Sequence, residues 1–177
     1  MDLVFFEPEN ASSDVRQVLW VSSPADFEKI KKNPESKSRI CIALSKTDDQ
    51  LFSKIKNSGF LVAVESQTPS VAMWAVQRKA DFLLVAVNTP KPAVDLAIAN
   101  TAFQNEVALA VVLSEWWNVQ RFRWSVLFKN AFWLAKIVRK SKAKGFVVSG
   151  AQNTWEQRNA SNRRLLADWF GFGKRPE

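Results

Sequence analysis

Short apolar runs recur along this chain at near-regular intervals, and that rhythm restricts its fold more than any other feature. They are DLVFF (2–6), QVLWVS (17–22), RICIALS (39–45), FLVAVE (60–65), DFLLVAV (81–87), EVALAVVLS (106–114) and GFVVSG (145–150). The runs are nearly continuous in Val, Leu, Ile and Ala instead of alternating with polar residues. Strands covered on both faces read this way, because helices shield each side of a parallel sheet from water. Helical segments fill the gaps. SSPADFEKIKKN offers a serine cap, an early proline and terminal lysines. SKTDDQLFSKIKNSG opens on Ser or Thr with acids in its first turn and stops at Asn57-Ser58-Gly59. TPSVAMWAVQRKA and TPKPAVDLAIANTAFQN share a Thr-Pro opening. Strict βα alternation predicts an α/β fold: a seven-stranded TIM-like (β/α) barrel, mostly parallel, with helices outside. An open doubly wound sheet has the same periodicity and stays in competition. With 177 residues, 47% of them hydrophobic, the chain has material for one core, so residues 1–177 are read as a single domain.

Charge is divided unevenly along that domain. Residues 1–115 hold 12 Lys+Arg against 14 Asp+Glu, a net of −2, whereas residues 116–177 hold 13 against 3, a net of +10; together they give +8. Between Trp116 and Trp155 there is no acid. A cationic field confined to the C-terminal third (116–177) points to a polyanionic partner more than to general solubility.

The stretch RFRWSVLFKNAFWLAKIVRKSKAKG (121–145) concentrates that field, with aromatic residues threaded between its cations. On a helix at ~100° per residue, Leu127, Ala131, Leu134, Ala135 and Val138 form an apolar side with Trp124 and Phe128 at its edge. Lys129, Trp133, Lys136 and Lys140 form a stripe opposite, with Arg139 beside it. Arg121 and Arg123 extend the stripe at one end, and Lys142 and Lys144 at the other. A solvated lysine face is the ordinary meaning of such a pattern, but here no acid supplies the usual i,i+4 pairing. Cations that neutralise phosphates and a tryptophan free to stack on a base fit nucleic acid. The chain has no helix-turn-helix or finger pattern for reading a DNA groove, so RNA recognised by backbone and shape fits better. A basic scaffold for an acidic protein is the weaker reading.

Several chemistries are excluded. The chain has no histidine and one cysteine, which removes imidazole catalysis and zinc sites. Cys41, inside RICIAL, is expected to be a buried thiol, and a cytoplasmic location is expected from this and from an N-terminus without a basic leader. No apolar run reaches the ~18 residues of a membrane span. Glu65 and Glu115 fall near the C-terminal ends of their strands, where a barrel opens its mouth. They give the alternative reading, a Mg²⁺-dependent phosphoesterase or nuclease. Ser149-Gly150-Ala151 is expected to be a tight turn after the last strand.

From about Leu61 to Phe172 the order of segments resembles one family. VAVESQTPSVAMWAVQRKADFLLVAV, AIANTAFQNEVALAVVLSEWW and QRFRWSVLFKNAFWLAKIVRKSKAKGFVVSGAQNTWEQRNASNRRLLADWFGF are together similar to the archaeal ribonuclease P protein component 3. The resemblance implies a barrel-like relative of the polymerase-and-histidinol-phosphatase superfamily without its metal ligands. It implies a non-catalytic subunit of an endoribonuclease that matures tRNA 5′ ends, in which the RNA subunit cleaves and carries Mg²⁺ and the chain itself binds no cofactor. The implied partners are the ribonuclease P RNA, protein component 2 and, through the complex, precursor tRNA, with no membrane. Arg121, Arg123, Lys136, Arg139 and Lys140 match the basic positions of the family's long helix and its flanks. Arg158 matches the arginine of a later loop. Val87-Asn88-Thr89 departs from the family's Ser-His-Pro-like turn.

Overall fold

A computed structural model describes residues 2–4, 15–32, 40–117, 119–120, 123–151 and 160–172. Its strands are β1 (Asp2–Val4), β2 (Val15–Trp20), β3 (Ile40–Leu44), β4 (Leu61–Ser66), β5 (Phe82–Val85), β6 (Ala108–Val112) and β7 (Gly145–Val148). Its helices are α1 (Pro24–Lys31), α2 (Asp49–Asn57), α3 (Pro69–Gln77), α4 (Leu96–Gln104), α5 (Ser114–Trp117), α6 (Trp124–Ser141) and α7 (Ala160–Phe170).

Six parallel ladders join the strands in chain order, from β1-β2 through to β6-β7. A doubly wound sheet reverses direction at a switch point, and this order never reverses, so that alternative is removed. Crossovers that are right-handed and always advance the same way put their helices on the same face. The side chains agree. Val62 and Val64 of β4, Leu83 and Val85 of β5, and Leu109 and Val111 of β6 pack in one core with Phe27, Ile55, Ala75, Ile98 and Leu134 from the helices. The alternate residues Cys41, Ala43, Ala63, Phe82, Leu84, Ala108, Ala110 and Val112 form a second, smaller core on the opposite face. Cys41 is a buried free thiol there, as expected. The closed barrel expected from the sequence is not established by hydrogen bonding. The end strands β1 and β7 approach within 8 Å between Cα atoms, yet no ladder joins them among the described residues.

Local signals fix the helix starts. The side chains of Ser23, Asp48, Thr68 and Asp95 each accept from the backbone N–H three residues on, with Pro24 and Pro69 in the first turn of α1 and α3. Each cap contributes ~1 kcal/mol. Two expectations are corrected. Asp48 caps α2 where a Ser or Thr was expected, its Oδ1 accepting from Leu51 N at 2.9 Å. Helix α4 begins at Leu96, not at Thr89-Pro90. Pro92 pushes the residue before it toward extended backbone and supplies no donor, so the chain turns first. Thr89 Oγ1 donates to Lys91 O at 2.8 Å, and Asn130 Nδ2 on α6 donates to Val87 O at 2.8 Å and Thr89 O at 2.7 Å. Buried Asn130 thereby ties the β5–α4 loop to α6.

Candidate nucleic-acid interface

Helix α6 has the two sides its sequence requires. Leu127, Ala131, Leu134, Ala135 and Val138 are buried, Phe128 is half-buried, and Trp124 is exposed at the edge. Burying an aliphatic side chain of this size stabilises by ~1.5–3 kcal/mol, which holds α6 to the sheet in one rotational setting. That setting exposes Arg123, Lys129, Trp133, Lys136, Arg139, Lys140 and Lys142. The helix ends at Lys142, which takes a left-handed conformation with φ 63°, so the chain leaves α6 sharply for β7.

The ion pairs found among the described residues use Lys29, Lys54, Lys56 and Arg78, all in the earlier part of the chain. Among the described residues none uses Lys129, Lys136, Arg139, Lys140 or Lys142. Arg139 and Lys140 occupy the last turn of α6, where the helix dipole favours cations. Arg139 also lies against the end of α7: a Cβ added at Gly171, which has φ 92°, would sit 3.5 Å from Arg139 Cζ.

Lys144 is exposed as well. It lines a cavity of about 260 Å³ near the N-terminal ends of β4–β7, together with Leu61, Asp81, Phe82, Glu106, Ala108, Phe146 and Val148. Arg121 and Arg158 lie outside the described residues.

A group of aromatic residues between α6 and α7 escaped the sequence reading. Phe170 is buried, with its ring centroid 5.2 Å from Trp116, 5.6 Å from Phe132 and 5.3 Å from Trp169. Phe128 lies 4.8 Å from Trp116 and 5.3 Å from Trp169. The outer members Trp124, Phe132 and Trp169 remain 41%, 42% and 57% exposed, beside Trp133 at 49%. The i,i+4 spacings Phe128/Phe132 and Leu165/Trp169 carry this signal, but exposure could not be read without the packing of α7 on α6. Arg164 on α7 adds an exposed cation, whereas Arg163 is buried.

The two mouth carboxylates behave differently. Glu65 lies on β4 at a position that alternates with Val64 and so faces the second core's side of the sheet. Half-buried Glu115 on α5 accepts from Val87 N at 3.2 Å and Asn88 N at 3.3 Å through Oε2. Burial raises the Glu115 carboxyl to about 7; the two N–H donors oppose that rise and the Glu65 charge adds to it. Among the described residues no group of three or more His, Cys, Asp or Glu is placed to hold a metal ion.

The Glu115 shift predicts a pH dependence. The folded state keeps this proton up to about pH 7, whereas the unfolded chain loses it near the ordinary carboxylate value of 4.5. Protons bound to the folded state then exceed those of the unfolded state, so stability falls as pH rises between those values. The loss is up to about 3 kcal/mol. Glu115→Gln keeps an acceptor for both N–H groups and removes the titration. Urea melts across this range should show a flatter pH profile for the variant and a gain in stability over wild type above pH 7.

The fold is a parallel sheet wound in one direction with its helices packed on one face, and solved structures share its outline. One likeness, at TM-score 0.65, is to a chain in the cryo-EM structure of archaeal ribonuclease P with mature tRNA. It has 18% sequence identity and covers 87% of this chain and 72% of that one. An amidohydrolase crystal structure matches at TM-score 0.56 and 13% identity, over 92% of this chain and 47% of that one. A prolidase complexed with N-methylphosphonate-L-proline matches at 0.54 and 9%, over 82% and 42%. The chain spans less than half the length of these two enzymes. No known family profile matches the sequence, and no curated protein matches it. These likenesses define the fold.

Proposed function

We propose that this chain is an RNA-binding protein subunit of ribonuclease P, supporting 5′-end maturation of tRNA by the catalytic RNA. The observation that carries the reading is the outer face of α6, where Lys129, Lys136, Arg139 and Lys140 are exposed around Trp133 with no acid on the helix. The likeness to a chain of archaeal ribonuclease P supports it at the level of fold. In this reading the consecutive sheet is a barrel-like scaffold, and protein component 2 and the ribonuclease P RNA are its partners.

The mechanism is electrostatic. Cations fixed along one rigid helix offset repulsion between phosphates and release condensed counterions, so the RNA folds and holds its own Mg²⁺ at lower concentrations. Residues of this chain position RNA, and no bond-breaking step is assigned to them.

The test is cleavage of precursor tRNA by archaeal ribonuclease P RNA and component 2, with and without this chain, over a Mg²⁺ series. The expected result is a lower Mg²⁺ requirement when the chain is present and no cleavage when the RNA is omitted. An unchanged Mg²⁺ requirement, or cleavage by the chain alone, refutes the reading.

A further inference from the structure

Resting on the RNA reading above, we propose that the α6–α7 face takes unpaired nucleotides. Their bases would stack on Trp133 at one flank and on the Phe132–Trp169 pair at the other, with phosphates held by Lys129 and Lys136 between the flanks. Phe132 and Trp133 are consecutive, so they point ~100° apart around α6, and the same geometry sets Lys129 and Lys136 at intermediate angles. All four side chains are exposed. The arrangement is thus ring, cations, ring across one helix surface.

Trp169 makes the second flank rigid. Its ring lies 5.3 Å from Phe128, 5.7 Å from Phe132 and 5.3 Å from Phe170, yet 57% of the residue remains open to solvent. A ring already fixed by its neighbours loses little conformational freedom when a base stacks on it. Paired bases keep their faces covered by the next pair, so rings of this kind distinguish a single strand from a duplex, while lysines alone do not. Charge complementarity selects a polynucleotide over a protein as occupant, since the cations lie among the rings and Asp168 on α7 is the acid beside them. Leu165, 67% exposed on α7, has no π face, so stacking gives it no part.

The experiment is a fluorescence anisotropy titration of the full chain with three probes: a short oligouridylate, an abasic strand of the same length, and an RNA duplex. The oligouridylate is expected to bind tightest and to quench tryptophan emission. Trp133→Ala and Trp169→Leu should each weaken it between about fivefold and a hundredfold, the range for one stacked base. Binding of the abasic strand should not change in either variant, Trp133→Phe should recover part of the loss, and Leu165→Ser should have no effect. Leucine at 169 preserves apolar contact with the phenylalanines, so the fold is kept. Equal affinity for oligouridylate and abasic strand, or no effect of either tryptophan variant, overturns the inference and leaves the RNA reading standing. In that case the exposed rings belong to a protein contact. Failure of all three probes to bind overturns the RNA reading itself.

Discussion

Reversing three charges together, Lys136→Glu, Arg139→Glu and Lys140→Glu, is expected to weaken RNA binding by roughly a hundredfold or more near 0.1 M salt. Each phosphate contact contributes ~0.7–0.9 to the slope of log affinity against log salt, so losing three should flatten it by about 2–3. Binding titrations over a salt series measure both quantities. Structural damage is expected to be small, because all three side chains are exposed and lie outside the ion pairs found among the described residues. The reversals at Arg139 and Lys140 oppose the dipole of α6 and cost about 0.3–1 kcal/mol each. A thermal melt close to wild type with a flattened salt slope assigns the face to RNA. An unchanged slope removes α6 from the interface.

The largest stability effect is expected at Phe170. Phe170→Ala should destabilise the fold by about 3–5 kcal/mol, lowering the melting temperature by roughly 6–20 °C. Phe170 is 2% exposed, and its ring meets Trp116, Phe128, Phe132, Trp169 and Phe172 at centroid distances from 5.2 to 6.4 Å. Removing it opens a cavity at the junction of α5, α6 and α7, where no single neighbour can fill the space. Leu165→Ser, five residues earlier on α7 at a position 67% exposed, should stay within about 0.5 kcal/mol of wild type. Urea melts of the two variants therefore compare a ring at the centre of this cluster with an exposed apolar residue on the same helix.

Periodicity made the βα alternation legible, since continuous apolar runs such as CIAL and VALAVV have few other uses in a chain of this size. The rotational setting of α6 was legible for the same reason: five apolar positions on one side fix where Lys129, Trp133, Lys136 and Lys140 must point. Strand order was not legible. Barrel-like and doubly wound sheets share one local pattern and differ in the direction of each crossover, which is decided by contacts between distant segments. The start of α4 was misplaced because Thr89-Pro90 imitates an N-terminus, while Pro92 and the grip of Asn130 on the loop delay the helix to Asp95. The exposed rings at Phe132 and Trp169 were invisible because their environment is made by α7, some thirty residues further along the chain from α6.

The consecutive strand order has a consequence for synthesis on the ribosome. Each strand pairs with the one made just before it, so every new βα unit emerges beside a finished template and never waits for a distant partner. Growth from the N-terminus follows the direction of translation. The ring cluster runs against this economy, because Trp169 and Phe170 belong to the last helix described while their partners Phe128 and Phe132 are translated much earlier. A nascent chain halted before α7 would hold most of its sheet yet leave the flank of α6 greasy and uncovered. That interval is when this protein is most exposed to aggregation or to capture by a chaperone.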